Sequence, residues 1–280
     1  MSRFDTVLVA DWSAAQGRRR AGKDAIWIAV ARDGRLAPAR HFPTRLEAEE
    51  WLAHTIRDET DAGRRVLAGF DFPFGYPSGT ARALTGRDDV FALWDWLAAR
   101  IADDPDGTNN RFEVASEINR LFPGIGPFWG KSSRAAHPDI PYGGRERTAE
   151  VPEKRACDLA AKASSSVWQL AFPPTVGGQA LMGIPMLSRL RQLPGCAVWP
   201  FEPWAEAAAV LVEIWPGLIE EAVKAEIAAA EGAAPVRDRV QVEALARALA
   251  ALPEAELAGM MAVEAPEEGW ILGAGQSERL

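Results

Sequence analysis

Over the first 77 residues the apolar positions come in short runs rather than in helical stripes. Residues 6–10, TVLVA, form a β-branched run that ends on Asp11, the pattern of a strand buried on both faces. Residues 25–31, AIWIAVA, predict a second strand, Asp33-Gly34 a tight hairpin turn, and residues 36–42 a third strand. Thr44 followed three residues later by Glu47 is a capping box. From there to about Ala62, Leu46, Trp51, Leu52 and Ile56 fall at helical spacing, and Gly63 stops the helix. Residues 65–71, RVLAGFD, are another short apolar run closed by an acid. The order so far is β-β-β-α-β.

Periodicity 3.6 takes over between residues 78 and 194. It predicts helices over 88–101, 113–122, 154–170 and 176–193, with a long Gly/Pro-rich loop over 123–152. Strand patterns return at 197–201 and 208–214, the second closing on Glu213-Ile214-Trp215-Pro216. Pro216 ends that strand and opens a helix over 217–230. Residues 238–252, DRVQVEALARALAAL, are the clearest amphipathic helix, with Val240, Leu245, Leu249 and Leu252 on one face. The pattern divides the chain into a first core part (1–77), a mainly helical insertion (78–194) and a second core part with closing helices and a tail (195–280).

Charge refines this picture. The net charge of −8 argues against a dedicated duplex-coating protein, which needs a basic footprint. The acidity is local, however: residues 1–199 carry 26 basic and 24 acidic side chains, whereas 200–280 carry 5 and 15. Most of the chain is therefore free to meet a phosphate. Cys157 and Cys196 have no metal spacing and predict two reduced thiols. No signal peptide and no run of ~18 apolar residues is evident, which predicts a cytoplasmic protein without a membrane partner. GxGxxG, GxxxxGK[ST], HExxH and CxxC motifs are all missing, so dinucleotide, P-loop and common zinc chemistries have no support.

The candidate chemistry lies in acids at strand ends. Asp11, Asp71 and Glu213 each close a predicted strand, and the carboxyl ends of parallel strands are where open α/β sheets gather ligands. Two explanations stand at this point. Each acid caps its following turn or pairs with an arginine, or the acids converge and hold Mg²⁺ or Mn²⁺ for in-line attack at phosphorus. Residues 69–77, GFDFPFGYP, favour the second, because a rigid turn that sets an acid among aromatic rings leaves that charge in need of a partner.

These segments carry a resemblance. VLVADWSA, the strand-hairpin-strand after it, GFDFPFGYP, VEIWP and the closing VEALARAL together resemble a bacterial domain-of-unknown-function family of predicted ribonuclease-H-like nucleases. The resemblance implies an α/β ribonuclease-H-like mixed sheet, β-β-β-α-β…β-α, carrying a largely helical insertion. It implies that Asp11 and Asp71 are the central metal ligands and that Glu213 and Glu243 complete the catalytic and metal-holding set; Asp238, five residues before Glu243 near the start of that helix, is the alternative acid to support the metal. Two positions depart from the family: Trp12-Ser13-Ala14 stands where a glycine-containing turn is usual, and Glu243 stands where an Asp is expected.

Around the acids, Ser13, Arg18, Arg19 and Lys23 in the first hairpin loop and Trp129, Lys131 and Arg134 in the long loop are candidate contacts to a substrate backbone or base. For Ser13 a backbone-capping role competes with that reading, for the basic loop solvation, and for Trp129 packing under the loop. The functional expectation is a Mg²⁺- or Mn²⁺-dependent phosphodiester hydrolase acting on a nucleic acid or nucleotide. A non-catalytic accessory module and a small-molecule hydrolase are the alternatives.

Overall fold

The structure is a computed structural model that describes residues 4–131, 137–161, 164–172 and 175–279. Six strands, β1 (Thr6–Asp11), β2 (Ile26–Arg32), β3 (Arg35–Phe42), β4 (Val66–Phe70), β5 (Cys196–Val198) and β6 (Ala209–Glu213), form one mixed sheet in the order β3-β2-β1-β4-β6-β5. β2 runs antiparallel to both β1 and β3, while β1, β4, β6 and β5 are mutually parallel. The β2–β3 turn places Asp33 at φ 50° and Gly34 at φ 75°, the left-handed pair that a tight hairpin requires.

The helices are α1 (Arg45–Asp61), α2 (Thr80–Thr85), α3 (Val90–Ala98), α4 (Arg111–Leu121), α5 (Ala156–Ala160), α6 (Gly177–Leu190), α7 (Glu220–Ala229), α8 (Arg237–Ala251) and α9 (Glu254–Met260). Two cores result from the pleat of the sheet. Leu8, Ala10, Ala68, Phe70 and Leu211 face one side and pack with Leu52 and Ile56 of α1, Trp94 and Leu97 of α3, and Leu181 and Ile184 of α6. Val7, Val9, Leu67, Val210 and Val212 face the other side, against Val242, Leu245 and Leu249 of α8 and Met260 of α9. The middle of the chain thus contributes directly to the first core.

Of the helix expected over 154–170, the described residues form only the five-residue α5. Side chains there bond the backbone instead of leaving it to a helix: Ser164 Oγ donates to the Asp158 carbonyl at 2.9 Å and Ser166 Oγ to the Glu153 carbonyl at 3.0 Å. Among the described residues no helix is long and apolar enough to cross a membrane.

Candidate active site

Because β1, β4 and β6 are parallel neighbours, their carboxyl ends stand side by side. Asp11 is the last residue of β1, and the Asp71 amide donates to the Ala10 carbonyl at 3.0 Å, so Asp71 leaves β4 beside Asp11. Phe70 is in register with Glu213, which puts that acid one strand further along the same end.

The turn after Asp71 is held by packing. Phe70, Phe72 and Phe74 are fully buried, with the Phe72 ring centroid 5.9 Å from that of Phe70 and 5.7 Å from that of Phe74. Trp94 Nε1 donates to the Phe74 carbonyl at 2.8 Å, and the Phe74 amide donates to Glu213 Oε2 at 2.9 Å. The aromatic residues of GFDFPFGYP anchor the turn, and Asp71 keeps an edge on a cleft of about 470 Å³.

Asp11 lines the same cleft, as do Trp12, Arg19, Lys23, Arg111 and Gln179. Neither the Asp11 nor the Asp71 carboxylate has a hydrogen-bond or ion-pair partner among the described residues. Burial, then the charges of Asp71, Asp238 and Asp24, hold Asp11 well above the usual carboxylate range. Burial, then Glu213 and Asp238, push Asp71 up to about 7. Asp238, in the first turn of α8, accepts from the Asp24 amide at 2.9 Å and is itself raised by burial. Three acids therefore oppose one another's ionisation around a wet cleft.

Glu213 has a different environment. It is 2 % exposed, and both its oxygens accept from Arg155, Oε1 from Nη2 at 2.6 Å and Oε2 from Nη1 at 2.7 Å. Arg155, with no solvent exposure, also bonds Asp158 at 3.0 Å. Burial pushes the Glu213 carboxyl up against the opposing pull of Arg155. Glu213 is thus an ion-paired anchor for the Asp71 turn, the arginine-pairing alternative left open by the sequence.

Glu243 does not line the cleft. It accepts from the Ala39 amide of β3 at 2.9 Å and pairs with Arg239 at 3.0 Å, fastening α8 to the sheet. Among the described residues no group of three or more carboxylate, histidine or cysteine side chains is arranged to hold a metal ion.

The remaining candidates divide between the cleft and its surroundings. Ser13 lines the cleft, but its Oγ donates to the Asp24 carbonyl at 2.7 Å and accepts from the Ala15 amide at 3.2 Å, closing the loop on itself. Arg19 and Lys23 face the cleft, whereas Arg18 pairs with Glu47 at 2.7 Å outside it. Trp129 packs against Gly144 and bridges Gln169, and Lys131 is buried with Nζ donating to the His137 carbonyl at 3.1 Å; neither lines the cleft. Arg134 lies outside the described residues.

Sequence reasoning missed Arg155, Asp24 and Arg111. Nothing local distinguishes Arg155 from a helix-surface arginine, since its partner is 58 residues away. Asp24 had a signal, a polar residue directly before an apolar strand, and Arg111 stands at a helix start. No family model matches the chain, and no curated protein or solved structure matches it either.

Proposed function

We propose that this chain is a ribonuclease-H-like hydrolase that cuts phosphodiesters with Mg²⁺ or Mn²⁺. The observation that carries the reading is the Asp11–Asp71 pair: two adjacent strand-end carboxylates, partly buried, mutually repelling and without a partner among the described residues, on a cleft lined by cationic side chains. A strand order of β3-β2-β1-β4 with only β2 antiparallel supports the fold assignment, with β6 and the short β5 extending the sheet beyond β4.

The donor set suits a hard cation. Mg²⁺ is commonly held by one or two carboxylates together with water and substrate phosphate, rather than by a cage of protein ligands. Asp11 and Asp71 supply the two carboxylates, and binding relieves the repulsion that raises both. When bound, such an ion activates a water and neutralises charge developing on the phosphate. Asp238, fixed by the Asp24 amide, adds negative charge beside the pair. Arg19, Lys23 and Arg111 lend positive charge to the substrate's phosphate oxygens. Glu213 acts through the turn: gripped by Arg155, it fixes the Phe74 amide and thereby the direction of Asp71.

A cleft of about 470 Å³ is the size of a small-molecule site. It favours a nucleotide or a few nucleotides of single strand over a duplex, so nucleotide hydrolysis is the second reading. The test is anomalous diffraction from a Mn²⁺-soaked crystal together with hydrolysis of single-stranded oligonucleotides and dinucleotides. Expected are a Mn²⁺ peak at Asp11 and Asp71 and loss of both peak and hydrolysis in an Asp11→Asn, Asp71→Asn double variant. Full activity of that variant refutes the proposal.

A further inference from the structure

Among the cations that line the cleft, Arg111 has a half-buried guanidinium whose hydrogen bonding is incomplete among the described residues. Two buried arginines end on carboxylates, Arg45 on Asp103 at 2.6 Å and Arg155 on Glu213 and Asp158, while a third, Arg65, gives Nε and Nη2 to three backbone carbonyls. Arg111 instead gives Nη1 to the neutral Asn109 Oδ1 at 2.8 Å and lays its guanidinium 4.7 Å over the Phe112 ring. Among the described residues its Nε is buried without a partner, and so is Nδ2 of nearby Asn109. Burial, then the like charge of Arg45, lowers its pKa to about 10, so it remains protonated at neutral pH. The exposed Glu113 carboxylate opposes this lowering, and a half-buried cation whose hydrogen bond ends on a neutral acceptor is stabilised further by an anion that completes it.

Its neighbour makes the imbalance larger. A Cβ on Gly178 would come within 3.3 Å of Arg111 Nε and 3.1 Å of Ala14 Cβ, so the bare backbone there lets the guanidinium lie against the first turn of the fourteen-residue helix α6. The helix dipole makes that turn positive as well. Two groups of the same sign are thus brought together on the wall of a cleft, and Arg19 and Lys23, the latter acting on the Asp238 charge, line the same space.

We propose that Arg111, backed by the start of α6, is a phosphate subsite that grips one phosphate group of a nucleotide-sized substrate. Its place beside Asp11 and Asp71 gives it a role in catalysis only if the metal-dependent reading above holds; the binding of phosphate does not depend on it.

The test is calorimetric titration of inorganic phosphate, then of a nucleoside 5′-monophosphate and of a short single strand lacking terminal phosphate, into the metal-free full chain. The wild type binds phosphate saturably, and Arg111→Gln weakens all three ligands by about ten- to a hundredfold, the worth of a charge-assisted contact. The two nucleotide probes distinguish a terminal from an internal phosphate as the group held. Arg111→Lys keeps the charge without the planar fork and binds more weakly than wild type; it serves as the probe if circular dichroism finds Arg111→Gln unfolded. The Asp11→Asn, Asp71→Asn variant keeps phosphate binding. Wild-type-like phosphate affinity in the folded Arg111 variants, or no saturable phosphate binding by the wild type, overturns the subsite. Phosphate binding that needs Arg111 in a protein that binds no Mn²⁺ overturns the metal reading and leaves the subsite standing.

Discussion

Replacing Asp71 by Asn is expected to make the metal-free protein more stable. The folded state raises this carboxyl from its usual 3.8 to about 7. The native protein therefore holds a proton more tightly than the unfolded chain does, and stability falls as pH rises through that interval, the loss being complete above it. About three pH units at about 1.4 kcal/mol each set a ceiling of about 4 kcal/mol. Asp71 keeps an edge on the cleft, so the expected gain for Asp71→Asn near pH 8 is about 1–3 kcal/mol, or about 2–5 °C in Tm. Thermal and urea unfolding of both proteins in chelator, from about pH 8 down to about pH 4, reads this directly: the gap is widest at the alkaline end and closes toward the acid end. Excess Mn²⁺ reverses the ranking, because only the wild type gains linkage stabilisation, about 2.7 kcal/mol at a hundredfold excess over Kd. A variant no more stable than wild type near pH 8, or a gap that widens on acidification, refutes the argument that Asp71 is a strained charge awaiting a cation.

Three further expectations follow from the contacts around it. Arg155→Met leaves Glu213 and Asp158 buried without their cation and costs about 3–5 kcal/mol in urea unfolding; a loss under about 1 kcal/mol contradicts the anchoring role. Gly183→Ala drives a methyl group into the Phe72 ring, so it destabilises by about 1–3 kcal/mol and lowers Mn²⁺ affinity at the adjacent Asp71, whereas unchanged Mn²⁺ affinity separates α6 from the site. Glu243→Gln leaves oligonucleotide hydrolysis near wild type, while Asp11→Asn lowers it by ~10²-fold or more; a Glu243 defect of that size puts this acid back in the catalytic set.

The strand pattern was readable because burial on both faces leaves uninterrupted apolar runs, as in residues 6–10 and 65–71, and because the hairpin and the α1 capping box are local signals. The same locality put Asp11 and Asp71 at strand ends and let parallel pairing bring them together. What escaped was everything set by long-range partners. Glu213 and Glu243 both look like site acids in the sequence. Whether each faces the cleft is decided by Arg155 in one case and by the Ala39 amide in the other, 58 and 204 residues away. The helix expected over 154–170 fails for a more local reason: its apolar spacing is genuine, but Ser164 and Ser166 give their hydroxyls to carbonyls 6 and 13 residues back, while Arg155 reaches Glu213.

Helix α6 joins two tasks on one rigid rod. Gly183 lies under the Phe72 ring that seats the Asp71 turn, while Gly178 and Gln179, about one turn earlier, form part of the cleft wall. A change that tilts the wall therefore tilts the acid as well. In evolutionary terms the helical middle of the chain is a poor unit of exchange: swapping it for a foreign segment to alter substrate choice would disarm the strand-end acids at the same stroke. The loop that carries Arg19 and Lys23 is tied to the site acids at its far end, through the Asp24 amide on Asp238, and its two cations stand clear of that bond. New substrate preferences should arise there, by single replacements, while α6 stays as it is.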